Sequence, residues 1–164
     1  MIRKFNAFDT FYEYKIKVND EILDQTKIIF SNVKEKEDQL TTFWHLNILN
    51  LPILKSLKEQ VINILNEHNI ELTNNWAQLY NKQDRHNVHL HWQSKMSGII
   101  YLSDNCTPTS FYDRIFDSYE HIPVKNTLLL FPSYVPHEVR PLKNDEERLI
   151  ISFNTRESTK NDIK

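Results

Sequence analysis

The N-terminal part of the chain changes from strand-like to helix-like spacing of its apolar residues. Between Phe11 and Val18, apolar and polar residues alternate, and aromatic and β-branched types are frequent. This pattern predicts a β-strand, because alternate residues of a strand face opposite sides of a sheet. Asn19 or Asp20 can then accept hydrogen bonds from the free N–H groups of a first helical turn, so a helix is predicted from there to about Lys36.

A second helix is predicted in the stretch that follows Asn50. Asn50 is a suitable capping residue, and Pro52 falls in the first turn, where its missing N–H costs little. Four apolar residues recur at helical spacing and form one stripe: Leu54, Leu57, Val61 and Leu65. The helix should end within residues 66–69, and its stripe should pack against a sheet.

From Trp76 onward the pattern changes to short strands separated by turn-forming residues. The strands are predicted at residues 76–81, 88–92, 98–102, 110–112, 127–131, 137–140 and 148–154. Several short strands with frequent turns are typical of a sandwich or a barrel. Two helices followed by such a run predict an α+β domain in which the helices buttress one sheet.

Length and composition indicate one domain. The chain has 164 residues, of which 40% are hydrophobic, and this is enough for one compact domain with its own core. No repeat or flexible linker marks a boundary. We expect one domain over residues 1–164, with a strand and supporting helices in 1–75, the β core in 76–156 and a tail in 157–164.

Composition also disfavours several functional classes. The formal net charge is -2 and no basic stripe is visible, so nucleic-acid binding is not indicated. Gly98 is the only glycine, which excludes glycine-rich phosphate loops. Cys106 is the only cysteine, so an intrachain disulfide is excluded and a reducing compartment is favoured. The longest apolar stretch is far shorter than a bilayer span, and we expect a cytoplasmic protein without a membrane partner.

Three histidines form a candidate metal site. His89 and His91 are two positions apart, so on a strand they project from the same face. Imidazole nitrogens bind Fe, Zn, Ni or Cu, and two on one strand face can occupy adjacent positions around one ion. His137 follows a proline-rich turn at the start of another strand and is the candidate third ligand. The residues between and beside the first pair should face apolar packing: Val88, Leu90 and Trp92.

A candidate anion site accompanies the histidines. Arg148 begins a predicted strand and shares one face of it with three residues: Ile150, Ser152 and Asn154. A guanidinium group can hold a carboxylate through two parallel hydrogen bonds. Tyr101 alternates with apolar neighbours on its own strand and could offer a hydroxyl to the same carboxylate.

With these residues in place, the span from about Trp76 to Asn154 resembles the Fe(II)/2-oxoglutarate-dependent oxygenases. The similarity is greatest to the prolyl-hydroxylase-like branch and its small members from phages and marine bacteria. His137 and Arg148 have the spacing of the distal iron ligand and the basic residue that binds 2-oxoglutarate in that superfamily. The segment Ile-Ile-Tyr-Leu that contains Tyr101 is similar to the strand whose tyrosine contacts the cosubstrate. The Phe-Pro-Ser segment before His137 is similar to the same branch.

This resemblance implies a fold, cofactors and a set of site residues. The fold would be a double-stranded β-helix, which is a jelly-roll or cupin-like barrel, buttressed by the N-terminal helices. The cofactors would be Fe(II) and 2-oxoglutarate, with O2 as the other small-molecule partner and an unknown substrate that is hydroxylated. The implied metal ligands are His89, His91 and His137. The implied cosubstrate-binding residues are Tyr101, Arg148, Ser152 and Asn154.

The chain departs from the superfamily at one ligand. His91 stands where the superfamily has Asp or Glu, so the ligand set would be three neutral histidines. Asp113, on the next predicted strand, could supply a carboxylate instead, with His91 behind it. Strand alternation favours three histidines. We expect His86 to lie in a loop and His121 to lie at the surface.

Two other readings of the sequence stay open. A cupin-like metalloenzyme that uses three histidines without 2-oxoglutarate explains the histidines and makes Arg148 a surface residue. A non-catalytic β-sandwich binding module makes the histidines incidental. The primary substrate cannot be read from any residue pattern, although the segments 103–108 and 114–123 are expected to border the pocket.

Overall fold

The computed structural model describes residues 3–6, 9–37, 47–113, 117–143 and 147–159. Within these residues, ten strands form two sheets, and all pairings between them are antiparallel. In spatial order, the six-stranded sheet contains β1 (Arg3–Asn6), β2 (Thr10–Lys15), β8 (Thr127–Pro132), β5 (Met96–Tyr101), β10 (Arg148–Glu157) and β3 (Ile70–Tyr80). The four-stranded sheet contains β4 (His86–His89), β9 (His137–Val139), β6 (Thr109–Tyr112) and β7 (Ser118–His121).

The first helix, α1, spans Asp20–Glu37 and agrees with the predicted helix. Asn19 Oδ1 accepts a hydrogen bond from the Ile22 N–H at 2.9 Å. This satisfies one of the N–H groups that a first helical turn leaves free, as the sequence predicted for Asn19.

The second helix, α2, spans Lys55–Glu67 and begins later than predicted. Two short 3-10 turns precede it, Ile48–Asn50 and Pro52–Leu54. The prediction that Asn50 caps the helix is therefore wrong, and its side-chain oxygen instead accepts a hydrogen bond from Lys58 Nζ at 2.8 Å. The predicted stripe is confirmed, because all four of its residues are buried: Leu54, Leu57, Val61 and Leu65.

The six-stranded sheet is buried on both faces. On β5, Ile99 and Tyr101 belong to the apolar cluster between the two sheets, whereas Ile100 belongs to the cluster that also contains the buried residues of α2. On β10, Ile150 and Ile151 divide between the two clusters in the same way. Because both faces are covered, these strands are almost continuously apolar, unlike strands with one face in water.

Gly98 allows a close contact between two central strands. It lies on β5 opposite Phe153 of β10. A Cβ atom at Gly98 would lie 2.0 Å from Phe153 Cζ, far inside van der Waals contact. The only glycine of the chain therefore lies where any side chain would overlap a buried aromatic ring.

The predicted strands are present, but their limits and number differ. β3 begins at Ile70 rather than 76, and β4 covers His86–His89 rather than 88–92. The sequence analysis missed β1 and β7, and the strand predicted at the start of the chain is β2 of the six-stranded sheet. Within the described residues, no helix is long and apolar enough to cross a membrane.

Candidate metal centre

His89, His91 and His137 lie together, as the sequence predicted from their spacing. One ring nitrogen of each can be chosen so that all three lie within 4.8 Å of one another. The ring centroids of His89 and His137 are 4.3 Å apart, and His91 lies 5.2 Å from the first and 5.3 Å from the second. Three imidazoles at these separations can bind one ion, since metal–nitrogen bonds are ~2.0–2.2 Å long. Their role as metal ligands stays a prediction.

Strand pairing and one turn bring the three residues together. His89 and His137 are directly opposite in the pairing of β4 with β9. β4 ends at His89, and the backbone N–H of His91 donates to the Ser133 carbonyl at 2.9 Å. This hydrogen bond fixes the chain just beyond the strand, so that His91 still faces the other two rings.

The other face of this strand is not packed as predicted. Val88 is 55% exposed and Trp92 is 84% exposed. The expectation of apolar packing is wrong for these two residues, whereas Leu90 is half-buried. The outer face of β4, which is an edge strand of the four-stranded sheet, is open to solvent.

Backbone hydrogen bonds orient two of the histidines for metal binding. His89 Nδ1 lies 2.8 Å from the Asn87 carbonyl, and His137 Nδ1 lies 3.0 Å from the Val135 carbonyl. A carbonyl only accepts, so in each ring Nδ1 carries the proton and Nε2 keeps a lone pair. Histidines that bind metals are commonly held by this kind of contact, so the residues present fit a bound ion.

Burial keeps these rings neutral. It lowers the pKa of His91 to about 4 and the pKa of His137 well below its usual value. It also lowers the pKa of His89, and the hydrogen bond to Asn87 partly opposes this effect. Neutral imidazole is the form that binds a metal, so the site is ready for an ion at neutral pH.

Arg148 is fully buried and lines the same cavity. Its Nη2 donates to Thr109 Oγ1 at 2.6 Å, whereas Nε and Nη1 have no hydrogen-bond partner among the described residues. Thr109 Oγ1 also lies 3.0 Å from the Tyr101 hydroxyl. A buried cation with free donors is costly unless an anion pairs with it. The arrangement therefore fits a carboxylate that Arg148 binds in the cavity beside Thr109. Tyr101 is not among the residues that line the cavity, and its hydroxyl contacts Thr109.

Two further predicted cosubstrate residues make contacts within the protein. Ser152 lines the cavity, and its hydroxyl donates to Gln78 Oε1 at 3.2 Å. Asn154 Oδ1 accepts a hydrogen bond from Ser97 Oγ at 3.0 Å, and Asn154 is not among the residues that line the cavity. The structure thus places Ser152 in the site and Asn154 beside it.

Asp113 does not join the three histidines. Its carboxylate accepts a hydrogen bond from the Asp117 N–H at 2.9 Å, in the turn between β6 and β7. The ligand cluster among the described residues contains no carboxylate. The geometry favours His91 over Asp113 as the third ligand, as strand alternation did.

The expectations for the two remaining histidines near the site are wrong. His86 lies on β4 rather than in a loop, and its ring stacks on His89 with centroids 3.9 Å apart. His121 is 2% exposed rather than at the surface, and its ring stacks on Tyr101 with centroids 5.3 Å apart. The first error arose because β4 begins at His86 rather than at residue 88, and the second because the sequence did not reveal β7.

The cavity, together with the open space at its mouth, has a volume of about 360 Å³. The sequence analysis missed Trp76, Gln78 and Thr109, which line it. Each belongs to a strand that was predicted at least in part, but no local pattern marks them as functional. Among the described residues, the segments 103–108 and 117–123 contribute nothing to the lining, so the expectation that they border the pocket is wrong there. Residues 114–116 lie outside the described residues.

Comparison with known proteins points to one superfamily. The model of a family described as "Putative 2OG-Fe(II) oxygenase" matches residues 109–154, which include Thr109, His137 and Arg148. No curated protein sequence gives a significant match.

Solved structures share the fold along most of the chain. A prolyl-4-hydroxylase from Pseudomonas putida is 16% identical, with a TM-score of 0.65 over 93% of this chain and 95% of that one. A viral collagen prolyl hydroxylase from Paramecium Bursaria Chlorella virus-1, in a 2OG complex, is 11% identical, with a TM-score of 0.63 over 91% and 96%. HygX from Streptomyces hygroscopicus, with nickel and 2-oxoglutarate bound, is 10% identical, with a TM-score of 0.65 over 94% and 85%.

Identities this low establish the fold, which is the antiparallel jelly roll of the 2-oxoglutarate oxygenases. The family match and the structural neighbours agree on the superfamily. The family match supports the predicted resemblance over residues 109–154, and the structural neighbours confirm the jelly-roll fold that it implies.

Proposed function

We propose that this chain is an Fe(II)- and 2-oxoglutarate-dependent oxygenase that hydroxylates a substrate at a C–H bond. The observation that carries the proposal is the fully buried Arg148, whose Nε and Nη1 have no described partner, in the cavity that the three histidines also line. A metal-binding cluster alone fits many enzymes. A metal cluster and a buried cation in one cavity fit a ligand that chelates a metal at one end and carries a carboxylate at the other.

Different residues of the site bind the metal and the cosubstrate. When bound, Fe(II) with 2-oxoglutarate and O2 supplies the oxidising chemistry, and the protein supplies position and environment. His89 and His137 present Nε2 lone pairs to the ion, and His91 completes a three-nitrogen set. Arg148 binds the far carboxylate of the cosubstrate, while Thr109 Oγ1 accepts a hydrogen bond from the guanidinium and is itself hydrogen-bonded to the Tyr101 hydroxyl.

Apolar residues close the rear of the site. Ile99, Phe131 and Ile150 line the cavity and belong to the core between the two sheets. They exclude water from the cosubstrate pocket and lower the local dielectric constant. The charge-assisted contact between Arg148 and a carboxylate is stronger in such a place than at a surface.

The cupin-like alternative shares the histidines but has no use for Arg148. It would place a buried, partly unpaired guanidinium beside the metal with no ligand to balance it, which is unfavourable. The alternative therefore predicts that 2-oxoglutarate does not bind.

A direct test uses protein purified without a polyhistidine tag and loaded with Fe(II) under anaerobic conditions. Titration with 2-oxoglutarate should give saturable, metal-dependent binding and the visible absorption of a chelated 2-oxo acid. Admission of O2 should then form succinate. Binding of Fe(II) without any binding of 2-oxoglutarate would leave the three-histidine alternative, and absence of metal binding would leave the non-catalytic binding module.

The same proposal includes a buttressing role for the helix and a location in the cytoplasm. The cluster that contains Leu57 and Val61 of α2 together with Ile100 and Ile151 of the six-stranded sheet supports a buttressing role for the helix within a single domain. The lone, buried Cys106 supports a place in the cytoplasm, where thiols stay reduced.

A further inference from the structure

The charges around the cavity do not balance once the proposed cofactors are bound. Among the described residues that line it, Arg148 carries a full charge and none is Asp or Glu. A ligand set of two histidines and one carboxylate brings a negative charge to the ion, whereas three neutral histidines bring none. With a divalent ion, one guanidinium and the dianion 2-oxoglutarate in place, one positive charge is left over.

An uncompensated positive charge in the cavity should strongly affect which further ligand binds there. The surrounding side chains are largely buried, and a charge removed from water is costly unless a counter-charge accompanies it. An anionic group that enters the cavity removes this cost, and a neutral group of the same shape does not. The site should therefore discriminate between ligands by charge.

His86 supplies a hydrogen-bond donor for such an anion. Its Nδ1 lies 3.3 Å from Gln78 Nε2 and 3.3 Å from the Tyr80 hydroxyl. The Gln78 amide oxygen accepts from Ser152, which turns the amide nitrogen toward His86. An amide nitrogen only donates, so His86 Nδ1 accepts and the proton of the neutral ring is on Nε2.

The stacked rings of His86 and His89 thus carry their protons on different nitrogens. His89 donates from Nδ1 to a backbone carbonyl and keeps a lone pair on Nε2, which suits a metal. His86 keeps its proton on Nε2, which suits an oxygen acceptor and not a metal. It lines the cavity, and its Nε2 has no hydrogen bond to another described residue. The fourth histidine of the site is therefore a donor beside the metal ligands.

We propose that the primary substrate carries an oxyanion, a carboxylate or a phosphate, that enters this cavity beside the metal and accepts a hydrogen bond from His86 Nε2. The inference rests on the proposed function, since the charge that it balances is that of the metal centre with 2-oxoglutarate. It assigns the chemical class of the substrate and makes His86 a substrate-binding residue. The hydrogen bonds from Ser152 to Gln78 and from Gln78 to His86 set the tautomer of His86, so Ser152 acts on His86 through Gln78.

The test uses the full chain loaded with Co(II), which is stable in air, and saturated with 2-oxoglutarate. Acetate and inorganic phosphate serve as oxyanion probes and acetamide as the neutral probe of similar shape. Binding is followed by calorimetry and by the visible bands of cobalt. At least one oxyanion should bind saturably, about tenfold or more tightly than acetamide.

Two variants separate the charge from the donor. His86→Phe keeps a ring to stack on His89 but has no donor, so oxyanion affinity should fall about tenfold or more while Co(II) and 2-oxoglutarate affinities stay the same. His91→Asp brings a carboxylate to the ion and should weaken oxyanion binding in protein that retains cobalt. His68→Phe, the same substitution far from the cavity beside Tyr14, is the matched control and should bind as the parent does.

A measurement on the parent protein tests the tautomer directly. Nitrogen-15 spectra of the metal-free protein should show His86 protonated at Nε2 and unprotonated at Nδ1. The reverse tautomer overturns the assignment of His86, even if the Phe variant does not fold. Equal affinity for acetate, phosphate and acetamide, or undiminished oxyanion binding by His86→Phe, also overturns the proposal. Failure of the parent to bind Co(II) or 2-oxoglutarate would contradict the proposed function itself. This outcome differs from failure of the oxyanion proposal because it is observed before any probe is added.

Discussion

His89 and His137 face each other across β4 and β9, with their ring centroids 4.3 Å apart. Both rings are fixed by a hydrogen bond from Nδ1 to a backbone carbonyl two residues earlier in the chain. The pair therefore presents two Nε2 atoms from rigid strand positions. Such a site keeps its geometry without an ion, which reduces the cost of ordering side chains when one binds.

Removal of either ring should abolish metal binding. We expect His89→Ala and His137→Ala each to lose stoichiometric Fe(II) binding, because each removes one nitrogen from a three-nitrogen set. Anaerobic metal analysis after gel filtration measures the effect, and circular dichroism checks the fold. His68→Ala is the control, since His68 lies beside Tyr14 and not in the cavity. Full occupancy in either folded variant would show that the ligands were misassigned.

The third ligand can be identified by comparing two substitutions. His91→Ala should weaken Fe(II) binding far more than Asp113→Ala, because the Asp113 carboxylate accepts a hydrogen bond from Asp117 and is not part of the cluster. Anaerobic titration of both folded variants gives the order of affinities. The reverse order would assign the carboxylate role to Asp113.

Arg148 should affect the cosubstrate and not the metal. Arg148→Lys keeps the charge but loses the planar pair of donors, so 2-oxoglutarate should bind about ten- to a hundredfold more weakly. Fe(II) affinity without cosubstrate should not change. Arg156→Lys is the matched control, since Arg156 is exposed and pairs with Glu71. Undiminished 2-oxoglutarate binding by the Arg148 variant would contradict its assigned role.

A methyl group at Gly98 should destabilise the fold. Its Cβ would overlap the Phe153 ring, which is buried and has little room to move, so Gly98→Ala should cost about 1–3 kcal/mol in the free energy of unfolding. Urea denaturation measures the loss. In a Phe153→Leu background the same change should cost less, because the smaller side chain relieves the overlap. Equal costs in both backgrounds would place the strain elsewhere.

The metal-free protein should lose stability in mild acid. Burial lowers the pKa of His86 and of His91 from 6.5 to about 4, so below pH 6.5 the unfolded chain binds protons that the folded chain does not. The free energy of unfolding should therefore fall as pH decreases from about 6.5 to about 4 and change less through these groups below that. Urea unfolding at a series of pH values measures this. His86→Phe should reduce the dependence, and an unchanged slope in that variant would contradict the burial of a neutral His86.

Local pattern was sufficient to find much of the site. The alternation of residues on a strand predicted that His89 and His91 share one face. The same alternation predicted that Ser152 shares a face of its strand with Arg148. Capping and helical spacing predicted α1 and the buried stripe of α2. These features depend on neighbours in sequence, and the chemistry of imidazole and guanidinium follows from residue type alone.

Tertiary structure decided what alternation could not. Spacing predicts which residues share a face of a strand, but whether that face is covered depends on a partner strand far along the chain. Trp92, in the turn beyond β4, is therefore exposed, and His121 on β7 is buried with its ring stacked on Tyr101 of the other sheet. The packing of the two sheets brings Thr109 of β6 to Arg148 of β10 and Gln78 of β3 to His86 of β4, contacts that no strand pairing makes. The sequence determined which groups could bind a metal and a carboxylate, and the pairing of distant strands, through backbone hydrogen bonds that carry no side-chain signature, decided which of them meet.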